Sequence, residues 1–241
     1  MNELLSLLPD RERSPQLLVR RFASPCGPLL LGAAGGCLLL CDWTASRRHA
    51  TNLRRLARFA PPLPGKADAL LLERAAAELE AYFDGSGHDP QVPLRLCGTP
   101  FQLAVWEALR RIPFGQTATY AAVAASLGRP RALRAVAAAI GANALSLFVP
   151  CHRVVGSGGE LTGYAGGLMA KAALLRLEQG APCPPSGADG PTAPPPDRVA
   201  TKSEPRFSQS RTRTLKNHLL KPKRGPFKPL FVLLFRISLF V

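Results

Sequence analysis

The stretch Thr99-Pro100-Phe101-Gln102-Leu103-Ala104-Val105-Trp106-Glu107-Ala108-Leu109 opens a helix. A threonine cap followed by proline at the first helical position suits a helix start, because the hydroxyl accepts an orphan amide and proline lacks one. Phe101, Val105, Trp106 and Leu109 form its apolar side, and Pro113-Phe114-Gly115 stops it. A second helix is expected from about Thr119 to Leu127, ending at Gly128. After Arg129-Pro130 a third runs from about Arg131 to Ile140 or Ala142. Two short helices joined by a tight glycine-containing turn make a helix-turn-helix pattern. The second of them shows Arg131 and Arg134 among alanines, and small residues let a helix sit close to another surface. Alanine-rich helices also pack closely inside cores, so the pattern alone does not assign DNA binding.

Downstream lies Phe148-Val149-Pro150-Cys151-His152-Arg153-Val154-Val155-Gly156, then a glycine-rich stretch through Gly158, Gly159, Gly163, Gly166 and Gly167. Such glycine density implies tight turns or close backbone approach to a ligand. A last helix is expected over Leu168 to Glu178, stopped by Gly180. Upstream, Leu17-Leu18-Val19, Leu29-Leu30-Leu31 and Cys37-Leu38-Leu39-Leu40-Cys41 read as strands. They are separated by Ser24-Pro25-Cys26-Gly27-Pro28 and by Gly35-Gly36, both turn signals. Asp68 to Phe83 reads as a helix with Asp68 as N-cap and Asp84-Gly85 as its end. Pro90 and Pro93 mark an extended connection.

The formal net charge of +15 favours an anionic partner. About half of that surplus falls in residues 181–241, so the global figure overstates how basic the folded part is. Those residues are rich in proline, lack a sustained period and are expected to be disordered. The six cysteines do not form the spacing of a secreted disulfide framework. With no secretory leader pattern at the N-terminus, a cytoplasmic protein with reduced thiols is expected. The last apolar run, Leu230 to Val241, holds 12 residues with Arg236 inside, short of the roughly 20 that span a bilayer, so no membrane association is expected.

Cys151-His152 is the sharpest chemical feature. A nucleophilic cysteine needs a base or a positive field to become thiolate. Adjacent side chains rarely aim at each other, so a bridging water would complete the geometry. The imidazole then needs an orienting carboxylate, for which Glu178 is the candidate. The alternative is an inert buried thiol. Cys37 and Cys41 resemble half a zinc site, but no second pair completes it, and no metal is expected.

These residues together carry a family pattern. Thr99-Pro100-Phe101-Gln102, Val105-Trp106, Leu109, Ile112-Pro113, Gly115, Thr117 and Tyr120 resemble the start of the DNA-binding domain of O6-alkylguanine-DNA alkyltransferases. The resemblance continues through Ala124, Gly128, Pro130, Ala132, Arg134-Ala135-Val136, Gly141 and Asn143. It is completed by Pro150-Cys151-His152-Arg153-Val154, Gly159, Gly163-Tyr164, Gly166-Gly167, Lys171, Leu174-Leu175 and Glu178. It covers residues 99–180 strongly and 17–97 weakly. Many relatives have proline where this chain has Ala144, and some have serine where it has Ala165.

The resemblance implies single-turnover repair of DNA. Cys151 takes the alkyl group from O6 of guanine, and O4-alkylthymine is a further possible substrate. His152, acting through a water and oriented by Glu178, removes the thiol proton. Asn143 braces the turn beside the site. Tyr120 hydrogen-bonds the departing guanine ring and contacts DNA. The carbonyls of Cys151 and Val154 accept from guanine's exocyclic amine, Ala165 N–H reaches O6, and Tyr164 lines the pocket. Arg134 enters the duplex where the flipped base was, with Ala135 among the small residues beside it. The implied fold is α+β. A small N-terminal antiparallel sheet with a helix, ribonuclease H-like, precedes a helical, winged helix-turn-helix-like alkyltransferase domain and a disordered C-terminal tail. The expected boundaries are a flexible 1–14, an α/β domain over 15–96, the alkyl-acceptor domain over 97–180 and the tail over 181–241. The expected partner is double-stranded DNA containing O6-alkylguanine, bound by a monomer without cofactor. A lesion sensor without chemistry would lack the acceptor cysteine, and an unrelated Cys-His hydrolase would leave the Tyr120–Arg134 helix pair unexplained.

Overall fold

A computed structural model describes residues 17–59 and 64–182. The expected flexible start at 1–14, and all but the first two residues of the expected tail at 181–241, lie outside the described residues. Three strands, β1 (Leu18–Ser24), β2 (Gly27–Ala34) and β3 (Cys37–Trp43), form an antiparallel sheet in the order β1-β2-β3. They extend beyond the apolar triplets in the sequence because hairpin pairing carries each ladder to its turn. Leu18 pairs with Ala33 at one end and Ser24 with Gly27 at the other. The β2–β3 turn is Gly35-Gly36, with φ of 61° and 73°, a conformation that costs glycine least.

Asp68 ties this hairpin to the helix α2 (Lys66–Asp84). Its carboxylate accepts from Gly36 N at 2.8 Å, Gly35 N at 3.2 Å and Gly65 N at 2.7 Å. The expectation that Asp68 caps α2 is therefore corrected: Gly65 is the N-cap, and Asp68 reaches back to it from the third helical position. At the other end Gly85 adopts φ 80°, the left-handed stop expected there. Leu71, Leu72, Ala75, Leu79, Tyr82 and Phe83 are buried in a core shared with Leu29, Leu31 and Leu38 of the sheet. A second cluster joins Leu39, Leu40 and Ala34 of the sheet to Leu56, Cys97 and Ala144.

Leu56 belongs to α1 (His49–Arg58), a helix the sequence did not announce. Its N-terminus has no side-chain cap, and only Asn52 and Leu56 are fully buried. Tertiary contacts hold it instead. Asn52 Nδ2 donates to Asp42 at 3.0 Å, and the Arg55 guanidinium lies 5.3 Å from the centre of the Trp106 ring.

The second half begins with α3 (Pro100–Leu109). Thr99 Oγ1 accepts from Gln102 N at 3.3 Å, and Gln102 Oε1 returns the bond to Thr99 N at 2.9 Å, a capping box. β4 (Ala118–Thr119) leads into α4 (Tyr120–Ser126), and α5 (Leu133–Gly141) follows. Trp106 Nε1 donates to Ala139 O at 2.8 Å, satisfying a carbonyl near the end of α5 and locking α3 against it. Cys151–Arg153 make one 3-10 turn, β5 (Val154–Val155) pairs in parallel with β4, and α6 (Gly167–Glu178) closes the described chain.

The free edge of β3 receives both flanking segments of the second half. Leu38 N donates to Pro93 O and Arg95 N to Leu38 O; Cys41 N donates to Ala144 O and Ser146 N to Cys41 O. One hydrophobic core runs from Phe22 to Leu177 through both halves. Removing the Asp68 carboxylate strands three amides, so Asp68→Ala should cost about 1–3 kcal/mol. Urea denaturation that finds no change would show that these amides are satisfied another way.

Candidate active site

The site is built around a strand-free segment, residues 143–153, that Asn143 holds in shape. Asn143 Oδ1 accepts from Leu145 N at 2.9 Å, and Asn143 Nδ2 donates to Val149 O at 2.9 Å. The same amide nitrogen lies 3.2 Å from Cys151 Sγ. Between them Leu147 has φ 73°, a left-handed conformation that a leucine adopts only when its surroundings enforce it. The turn delivers Cys151 into the interior, where its side chain is buried. Burial pushes the thiol pKa up, while the Asn143 hydrogen bond and the positive charge of Lys171 draw it back down.

His152 follows Cys151 on the 3-10 turn and is fully buried. Its Nε2 lies 2.7 Å from Glu178 Oε1, and its Nδ1 is buried with no hydrogen-bond partner among the described residues. With Nε2–H donating to the carboxylate, Nδ1 carries the lone pair, so the free atom is a proton acceptor. Burial lowers the imidazole pKa, and Glu178 opposes that shift.

Glu178 sits at the last turn of α6 and is buried. A negative charge there opposes the helix dipole, and the structure shows what offsets it. Arg153 Nε lies 2.9 Å from Oε2, and Arg153 Nη2 lies 2.9 Å from Oε1. Tyr82 Oη donates to Oε1 at 2.8 Å, and Gly115 N donates to Oε2 at 3.1 Å. Although burial alone would raise its pKa, the His152 and Arg153 contacts hold this carboxyl well below the usual range.

Tyr164 stands over the site from the glycine-rich loop. Its ring is edge-on to His152, with centroids 6.2 Å apart, and edge-on to Trp43, 5.9 Å apart. Trp43 Nε1 donates to the Tyr164 hydroxyl at 3.1 Å. Gly166 lies so close to the Trp43 ring that an added Cβ would fall 2.6 Å from it, so no other residue fits there without displacement. Ala165, between them, is half-buried.

The structure thus brings together Cys151, His152, Glu178, Asn143 and Tyr164. Val154 is adjacent, and its carbonyl already accepts from Lys171 Nζ at 2.5 Å, leaving its second lone pair for any ligand. Lys171 also donates to Thr162 O at 2.7 Å, and burial draws its pKa down to about 8. Tyr120 opens α4 beside β4, half-buried, with Thr162 Oγ1 3.4 Å from its hydroxyl. Arg134 and Ala135 are exposed on α5, as are Leu133, Ala137 and Ala138, while Val136, Ala139 and Ile140 face inward; Arg131 is exposed in the turn just before the helix. Among the described residues no group of three or more His, Cys, Asp or Glu could hold a metal ion, and no helix is long and apolar enough to cross a membrane.

Sequence reasoning gave no role to Arg153, Tyr82, Asp89, Lys171 or Trp43. Arg153 and Lys171 stood within the quoted pattern, and full burial of two cations is the signal that only coordinates reveal. Tyr82 lies on the buried side of α2, where helical periodicity does not distinguish its hydroxyl from an apolar neighbour.

Because the Glu178 pKa is depressed in the fold, its charge contributes stability above the unfolded value near 4.3, and that contribution fades as pH falls below it. The difference in melting temperature between the native protein and Glu178→Gln should therefore narrow from about pH 5 to about pH 3. A difference that stays constant over that interval would mean that folding does not lower the pKa of this carboxyl.

Residues 100–180 match the family described as 6-O-methylguanine DNA methyltransferase, DNA binding domain. A methylated-DNA–protein-cysteine methyltransferase of Methanosarcina barkeri is 42% identical over 156 residues, covering 65% of this chain and 93% of the relative. One from Mycobacterium bovis is 42% identical over 162 residues, covering 66% of this chain and 91% of the relative. The crystal structure of Mycobacterium tuberculosis O6-methylguanine methyltransferase superposes with a TM-score of 0.57 at 40% identity, over 69% of this chain and 95% of that one. That of Mycobacterium tuberculosis OGT in complex with DNA gives 0.56 at 41% identity, over 68% and 94%. With this likeness running through both halves of the described chain, the protein belongs to the methylated-DNA–protein-cysteine methyltransferase family.

Proposed function

We propose that this protein repairs alkylated DNA by moving the alkyl group from O6 of guanine onto Cys151, irreversibly and once per molecule. One observation carries the reading: Glu178 engages Nε2 of His152, leaving a buried, unpartnered Nδ1 on the residue next to a buried cysteine. His152 takes the Cys151 proton at Nδ1 through a bridging water. The sulfur electron pair then forms the S–C bond, and the C–O6 pair stays with guanine. Tyr120 supplies a hydrogen bond or proton to the ring as it leaves. The thioether is stable, so no step regenerates the thiol. No cofactor enters this scheme.

The alkyl carbon is reachable only when the base leaves the stack. Tyr164 then lines the pocket, Ala165 N–H meets O6, and the carbonyls of Cys151 and Val154 accept from the exocyclic amine. Arg134 fills the gap in the duplex, with Ala135 allowing close approach. The exposed, small-residue face of α5 supports that assignment. In this reading the segment 97–180 is the alkyl-acceptor domain with a winged helix-turn-helix-like arrangement, 15–96 is a ribonuclease H-like α/β domain, and the protein works as a cytoplasmic monomer. O6-alkylguanine is the substrate in this reading, and O4-alkylthymine is a further candidate of the same chemistry.

Incubation with duplex carrying O6-methylguanine should add about 14 Da to the Cys151 peptide, as expected for a methyl on a covalent nucleophile. Folded, reduced protein that gains no mass would defeat the proposal. Cys151→Ala should abolish transfer and keep DNA binding. Arg134→Ala should slow repair of duplex by about tenfold or more while sparing reaction with free O6-benzylguanine, because only the duplex requires base extrusion. Equal slowing of both would remove Arg134 from the finger role.

A further inference from the structure

Taking Cys151 as acceptor and His152–Glu178 as its relay, the buried charges present an accounting question. Proton transfer leaves a thiolate on Cys151 and an imidazolium on His152, inside a core where an uncompensated charge is costly. Two other cations are already buried there. Arg153 is 1% exposed and Lys171 is 0% exposed. Lys171, on α6, donates to Val154 O and Thr162 O, and its positive charge lowers the Cys151 thiol pKa. Arg153, on the 3-10 turn, grips the same Glu178 oxygen that His152 uses. If Glu178 alone had to balance both Arg153 and the imidazolium, one positive charge would be left over.

The third anion is Asp89. Its carboxylate takes Arg153 Nη2, while Arg153 Nη1 donates to Ile112 O at 2.7 Å. After proton transfer every cation then has its own anion: Lys171 the Cys151 thiolate, His152 Glu178, and Arg153 Asp89. Asp89 belongs to the extended connection after α2, where its side chain is 38% exposed. It touches neither Cys151 nor His152, so its action passes through Arg153. The remaining groups near the relay are Tyr82 of α2, which donates to Glu178, and Tyr164 of the loop, which is tied to Trp43. On β3, Asp42 and the buried Cys41 thiol also interact electrostatically with Cys151; Asp42 Oδ2 is engaged by His49 and Asn52, while its buried Oδ1 has no hydrogen-bond partner among the described residues. Glu107, Arg110 and Arg111 share the cleft beside Asp89, the first two paired with each other.

We propose that Asp89 is a positioning residue for the proton relay: by holding and neutralising Arg153, it keeps the charge of Glu178 available to His152. Arg153 without Asp89 turns wholly onto Glu178, and His152 becomes a weaker base. The thiolate then forms only at higher pH.

The test follows the Cys151 thiolate against pH by the ultraviolet difference between each full-length protein and its Cys151→Ala counterpart, which cancels the other five cysteines and the tyrosines, together with the rate of Cys151 alkylation by free O6-benzylguanine, which requires no duplex. Asp89→Asn should move the thiolate midpoint up by about half a pH unit and slow alkylation about threefold at neutral pH, the two being the same shift read twice. Asp89→Glu, which keeps the charge, should restore both. A midpoint and rate in Asp89→Asn equal to those of the native protein would overturn the proposal, as would equal shifts in Asp89→Asn and Asp89→Glu. Where Asp89→Asn does not fold, Asp89→Glu and Asp89→Gln give the same comparison, differing only in charge. Native protein that fails to alkylate at all would defeat the transferase reading itself, a result distinct from an unshifted variant.

Discussion

A buried carboxylate, Glu178, sets the terms for the rest of the structure. Removing a carboxylate from water costs several kcal/mol unless donors replace the lost hydration. Glu178 meets that demand with four donor residues from three places: Tyr82 on α2, Gly115 in the loop after α3, and His152 and Arg153 on the 3-10 turn. None of these is a neighbour of Glu178 in sequence, so the ion is satisfied only when the whole molecule is assembled. The same arrangement fixes the histidine tautomer. Structural necessity and chemical readiness are therefore one requirement at this point.

The first half of the chain takes part directly. β3 accepts residues 93–95 and 144–146 along its edge, so the segment entering the cysteine turn is registered against the N-terminal sheet. Trp43, at the end of that strand, buttresses Tyr164 and presses on Gly166. Tyr82 and Asp89 reach the relay from α2 and its exit. The seam between the halves thus carries both the Cys151 sulfur and the groups that hold the His152 imidazole. A change in the sheet has a route to the chemistry through packed side chains and hydrogen bonds, without any contact to DNA.

The outward face has different physics. α5 exposes Arg134 and small alanines while its buried side is fixed by Val136, Ala139 and Ile140 and by the Trp106 bond to Ala139 O. A rigid, nearly flat helix surface lets a large polyanion approach closely, and a long cation on it has little to bind until one does. α3 and the core hold this helix, so its outward face and the interior site share one support.

The sequence by itself determined the local elements and the chemical identity of the site. The Thr99-Pro100 start, the Gly35-Gly36 hairpin and the Gly85 stop follow from backbone rules that act over a few residues. Cys151-His152, Asn143, Glu178 and Tyr164 could be named because residue types in a recognisable order carry that much. Only the tertiary structure decided the remainder. α1 lacks a cap and a full apolar stripe, and exists because Asp42 and Trp106 receive it. Asp68 looked like a cap from its position, yet three amides from two segments decide its place. The burial of Arg153 and Lys171, and the roles of Tyr82, Asp89 and Trp43, depend on groups far apart in sequence. Charge compensation and close packing are properties of distance in space, and a linear sequence does not contain that distance.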